Sequence, residues 1–170
     1  VSFEHIEIRK GNVTVSESAK AQVINWKGNE ATRLENGMIE LIVRNAGGHL
    51  AEMRFLPSSG AGPDVNVMWE ASWSGVRRAD LTPELLLETN GLTGHGLCLD
   101  YFGWASPGDR AAGNQIHGEA PAQHWRLNPP LDPQQPGARW ETVLPHVQLG
   151  FSRRIRLGES ALEICRTRGN

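Results

Sequence analysis

The stretch ENGMIELIVRNAGGHLAEMRFL, residues 35–56, decides how the chain is read. In MIELIVRN (38–45), Met38, Glu40 and Ile42 fall on one face of an extended chain, and Ile39, Leu41 and Val43 on the other. That two-residue period is the signature of a β-strand. Ala46-Gly47-Gly48 breaks the pattern. HLAEMRFL (49–56) resumes it and is expected to return as the second arm of a hairpin.

The same texture extends in both directions. FEHIEIR (3–9), VTVSES (13–18) and AQVINW (21–26) read as strands, separated by the turn signals Lys10-Gly11-Asn12 and Lys27-Gly28-Asn29. VNVMWEA (65–71), HWRL (124–127), ARWETVL (138–144), VQLGFSRRIRL (147–157) and ALEICRT (161–167) continue the series. ADLTPELLLET (80–90) is the best helix candidate, with Asp80 or Thr82 as cap and Pro83 at the first helical position. PPLDPQQPG (129–137) reads as a Pro-rich surface turn. Many short strands without strand–helix alternation predict an antiparallel sandwich or barrel rather than a parallel sheet. The chain of 170 residues is expected to form one domain, and its abrupt end after a strand suggests a truncated one.

Composition limits the partners. The chain is 39% hydrophobic and 21% charged with a formal net charge of -2, so nothing basic draws it to nucleic acid or anionic lipid. No apolar run reaches the length of a spanning helix, and no signal peptide opens the chain. Cys98 and Cys165 stand far apart with no metal spacing around them. They read as free thiols of a reducing compartment, which places the protein in the cytoplasm.

Residues 91–119 hold the candidate chemistry. GLTGHGLCLDYFGWASPGDRAAGNQIHGE is glycine-rich, polar and without period, as functional loops often are. His117 precedes Gly118, which leaves its ring approachable, although a tight turn uses the same pair. Asn114 can both donate to and accept from a hydroxyl, or simply form a turn. Asp100 can accept from hydroxyls or be an ordinary surface carboxylate. Glu119 would favour neutral hydroxyls over a phosphate, or be a solvated loop charge. Trp104 offers a flat apolar face of the kind that sugar C–H groups stack on. Trp69, Trp73, Trp125 and Trp140 offer the same face but are more often core residues in strands. His95, in TGHGL, could join His117 and Asp100 in a metal site, as in cupins. His124 reads as structural, and His5, His49 and His146 carry no motif.

Four segments together resemble the galactose mutarotase-like (aldose 1-epimerase) family. They are ENGMIELIVRNAGGHLAEMRF, DVNVMWEA, GLCLDYFG and NQIHGEAPAQHW, in that order over roughly residues 30–170. GLCLDYFG is similar to a segment of the hexose-6-phosphate epimerase branch. The resemblance implies the N-terminal half of an all-β supersandwich that binds a small-molecule sugar without metal or cofactor. It implies that His117 assists the acid step of ring opening as a catalytic residue. Asn114, Asp100, Glu119 and Trp104 are its expected companions in sugar binding. No match to the family's base glutamate or second histidine is found, so the isolated chain is expected to be very weak or inactive. The aromatic and arginine that follow His-Gly in the sugar-phosphate branch are replaced by Glu119, Ala120 and Pro121, which argues for a free sugar. A non-catalytic carbohydrate-binding sandwich is the main alternative, and a cupin-like metal protein a lesser one. Oligomeric state is not readable.

Overall fold

In a computed structural model, the residues described are 5–8, 20–57, 65–70, 93–128, 137–157 and 162–169, the first and last of these as backbone alone. They form an all-β protein of two antiparallel sheets with almost no helix. One sheet has the order β2-β3-β4-β5, from β2 (Lys20–Trp26), β3 (Asn29–Glu35), β4 (Ile39–Arg44) and β5 (Leu50–Phe55). The other has the order β1-β9-β8-β7-β6. Its strands are β1 (His5–Ile8), β6 (Arg126–Asn128), β7 (Ala138–Leu144), β8 (Leu149–Leu157) and β9 (Leu162–Gly169).

The hairpin expected at 38–56 is present, with β4 pairing β5 from Ile39↔Phe55 onward. Ile39, Leu41 and Val43 enter the main core, while Ile42 packs in a second cluster with Trp26, Ala31 and Ala51 on the opposite face. A bulge interrupts the pairing: Ile42 faces Glu52, and the next residue, Val43, faces Leu50. The extra residue, Ala51, resets the alternation of β5. Leu50 and Met53 therefore both reach the main core, and the Glu52 carboxylate accepts a hydrogen bond from Trp26 Nε1 at 3.0 Å. Strict alternation would have sent Leu50 and Met53 to opposite faces.

The main core joins the two sheets. Leu34, Leu41 and Met53 from the first meet Trp140, Leu144, Ile155 and Leu157 from the second, with Leu97, Ala120 and Trp125 closing the space between. The junction is pinned by backbone. Trp125 N donates to Asn45 O at 2.7 Å, Gly47 N donates to Gln123 O at 2.8 Å, and the buried Arg153 Nη1 donates to Gly48 O. Gly48, at φ +63°, is required here: a Cβ would lie 2.8 Å from the Trp125 indole.

Several sequence expectations shift. β3 spans NEATRLE, so Asn29, counted above in the turn signal Lys27-Gly28-Asn29, opens a strand that the series above does not include. Its alternation is legible afterwards: Thr32 and Leu34 face inward, and Arg33 bridges Glu35 and Glu40 on the outside. Residues 65–70 form isolated bridges, Arg54↔Asn66 and Glu70↔Thr93, rather than a strand. The strand expected at 124–127 runs over 126–128, because His124 is taken by a bridge to Ala46. The segments 13–18 and 80–90, and most of 129–137, lie outside the described residues.

Candidate functional site

Residues 97–119 are organised by one short helix that the sequence reading did not anticipate, α1 (Pro107–Ala111). The signal was there: Ser106-Pro107-Gly108-Asp109 is a capping box with proline at the first turn. Ser106 Oγ accepts from Asp109 N at 3.2 Å, and Asp109 Oδ2 accepts from Ser106 N at 3.1 Å. Tyr101 donates its hydroxyl to the same carboxylate at 3.0 Å. Hydrogen bonds from Ser106 and Tyr101 hold the Asp109 carboxyl below its ordinary pKa, and the bond to Asp109 raises that of the Tyr101 hydroxyl. At the other end of α1, Gly113 N donates to Arg110 O and Asn114 N to Asp109 O at 2.9 Å. The helix thus fixes the position of Asn114.

The His-Gly pair follows within four residues. Gly118 N donates to Gln115 O at 3.0 Å, closing a turn in which His117 takes φ 58° and Gly118 φ 82°. Histidine is among the non-glycine residues that tolerate this region, at a cost in strain. His117 is locked to Gly103 twice. Its backbone N donates to Gly103 O at 3.0 Å, and Gly103 N donates to its ring Nδ1 at 3.3 Å. With Nδ1 accepting, the tautomer that fits carries the ring hydrogen on Nε2. Phe102 meets the ring edge-on at 5.6 Å between centroids.

Cys98 Sγ lies 3.6 Å from the same Nδ1. Burial, and then the negative charge of Asp100, push the Cys98 thiol above its ordinary pKa. A thiol held in its protonated form is a poor nucleophile, so the contact is not an activated Cys–His pair.

The two carboxylates of the expected site serve the backbone. Both oxygens of Asp100 accept from Glu119 N, at 3.0 and 3.1 Å. Glu119 is neither a hydroxyl-facing group nor a solvated charge. It is 1% exposed, and its oxygens accept from His146 N at 2.8 Å and Val147 N at 3.0 Å. Gly118 must be glycine for the Asp100 contact, because a Cβ there would lie 2.2 Å from Asp100 Oδ1. Gly118→Ala is expected to cost about 2 kcal/mol from left-handed strain and loss of that contact. A thermal melt compared with wild type checks this, and an unchanged midpoint refutes it.

Trp104 is 66% exposed and Phe102 81%; of the two, Phe102 meets the half-buried His117 ring, and Asn114, three residues before it, is also half-buried. Trp125 and Trp140 are core residues and Trp69 is exposed, while Trp73 lies outside the described residues. His146 was passed over in the sequence. Its ring packs on Gly113, where a Cβ would lie 2.6 Å from it, and the Glu119 carboxylate holds its turn in place. His95 instead bridges to Leu50, at the β4–β5 end of the fold. The set His95, His117 and Asp100 is not assembled as a metal centre: among the described residues no three His, Cys, Asp or Glu side chains gather as ligands.

Fold and loop cluster together define an all-β, two-sheet protein with an imidazole and exposed aromatics on one irregular loop. Compared with models of known protein families and with curated proteins, the chain matches none. Among the described residues no helix is long and apolar enough to cross a membrane.

Proposed function

We propose that the chain is a carbohydrate-binding, aldose 1-epimerase-like domain, the N-terminal part of a supersandwich, taking a free sugar at the 97–119 loop cluster. The observation that carries this reading is the doubly locked His117. Its Nδ1 is taken by Gly103, which leaves Nε2 as the donor, next to exposed Phe102 and a loop carrying exposed Trp104. Anomer exchange needs a base at the anomeric hydroxyl and an acid at the ring oxygen, each contributing about 10²–10⁴-fold. An imidazole presenting Nε2–H suits the acid step, and Asn114 suits recognition of a neighbouring hydroxyl. No metal or nucleotide enters such a reaction. The free, exposed Cys98 supports a reducing compartment, the cytoplasm.

The alternative, a binding sandwich without catalysis, is favoured by one observation. Asp100 and Glu119 both spend their oxygens on backbone amides, so neither is disposed to act as the base. In the first reading, the base belongs to a longer parent chain.

An NMR titration with galactose and glucose tests the reading. The His117 ring is expected to shift and His117→Ala to abolish the response. Trp104→Ala is expected to weaken binding about 2–10-fold, the range of a stacking contact. Polarimetry is expected to show mutarotation by this chain at close to the uncatalysed rate. A folded sample whose His117 ring ignores both sugars overturns the site.

A further inference from the structure

The loop that seats His117 is closed on one carboxylate oxygen. Residues 101–106 belong to no helix or strand. Both ends of this segment meet on Asp109 Oδ2. The Tyr101 hydroxyl donates to it at 3.0 Å, Ser106 Oγ at 2.6 Å and Ser106 N at 3.1 Å. Phe102, Gly103, Trp104 and Ala105 are thereby held as a loop between fixed ends. From the middle of that loop Gly103 N reaches His117 Nδ1 at 3.3 Å, and Gly103 O takes His117 N at 3.0 Å. The carbonyl of Asp109 accepts from Asn114 N at 2.9 Å. One residue therefore holds both the segment that fixes the imidazole and the residue that carries the amide side chain.

What the loop decides is the tautomer. The neutral forms of an imidazole differ in which nitrogen donates, and the neighbours of the ring choose between them. A backbone N–H can only donate, so Gly103 selects the form with its hydrogen on Nε2. Cys98 Sγ, 3.6 Å from Nδ1, is a weak acceptor and admits the other form. A loop able to lift Gly103 off the ring would let both forms exist, and only one of them has a hydrogen on Nε2 to give.

We propose that Asp109 is the positioning residue of this site. By holding Tyr101 and Ser106 it keeps Gly103 on His117, so that the imidazole presents Nε2–H, and through its carbonyl it fixes Asn114 in the same frame. This deepens the sugar reading of the 97–119 loops and rests on it for the use to which Nε2–H is put.

The deciding variant is Tyr101→Phe, which removes the hydroxyl and leaves the Ser106–Asp109 cap of α1 intact. Ring nitrogen NMR of His117 without ligand reads the tautomer. Wild type is expected to show the Nε2–H form, and Tyr101→Phe a mixture of both forms with faster hydrogen exchange at the Gly103 amide. Asp109→Asn, whose amide oxygen still accepts, should keep more of the Nε2–H form than Asp109→Ala. Galactose binding by Tyr101→Phe is expected to weaken about 2–10-fold, the weight of one neutral hydrogen bond. An unchanged Nε2–H form in Tyr101→Phe overturns the proposal. So does a mixed tautomer that binds galactose as tightly as wild type. A mixed tautomer in Tyr101→Phe, when wild type itself ignores galactose, supports the positioning of the imidazole and overturns the sugar reading, so the two fail separately.

Discussion

Acidification from pH 6.5 to 3 is expected to remove about 5 kcal/mol of folding stability through His49 alone. This imidazole is 2% exposed, and neither ring nitrogen has a hydrogen-bond partner among the described residues. Gly47 and Gly96 crowd the ring so closely that a Cβ on Gly47 would lie 2.4 Å from Nε2. Burial, and then the charges of Arg44, Arg153 and His95, depress its pKa from 6.5 to about 3. The folded state therefore keeps His49 neutral while the unfolded chain takes up a proton near 6.5. Stability from this group is full above pH 6.5 and falls as pH drops toward 3, by about 1.4 kcal/mol per unit. A typical domain holds only about 5–15 kcal/mol in total. Denaturant unfolding at several pH values reads the slope. His49→Phe, which keeps a ring and removes the titration, should flatten it by close to one proton. An equally steep slope in the variant would show that the acid sensitivity has another source.

Glu119→Ala is expected to cost about 3–5 kcal/mol, because it strips two backbone donors of an ionised acceptor. The loss is more than local. Asp100 holds Glu119 N, and the Glu119 carboxylate holds the 146–147 turn, so one residue ties the loop before α1, the His-Gly turn and the β7–β8 connection together. Glu119→Gln should recover part of the stability. Its amide oxygen can accept from one of the two donors, while its NH2 group faces the other. Chemical denaturation gives the ranking wild type, then Gln, then Ala. Hydrogen exchange at His146 and Val147 should accelerate in the same order. If Glu119→Ala melts with wild type, water has replaced the carboxylate and the residue is not a tie between loops.

The sequence by itself determined the class of fold. Two-residue alternation in MIELIVRN and ARWETVL, with glycine-rich breaks between runs, leaves little choice but antiparallel strands, because each apolar set needs a face to bury. It also marked the 91–119 loop and the His117-Gly118 pair, whose backbone angles the glycine makes possible. What only the tertiary structure decided are relations between distant segments. The bulge at Ala51 follows from the need to seat both Leu50 and Met53 in one core, which no local period reveals. Glu119 resembles a loop charge until the β7–β8 turn, nearly thirty residues on, brings it two amide donors. His49 sits in an unremarkable strand start, and only the approach of Arg153 from the other sheet and of Gly96 from the loop makes it a buried base. Propensity and period are set by neighbours in the chain. A carboxylate's partners and an imidazole's solvation are set by whatever the fold brings alongside.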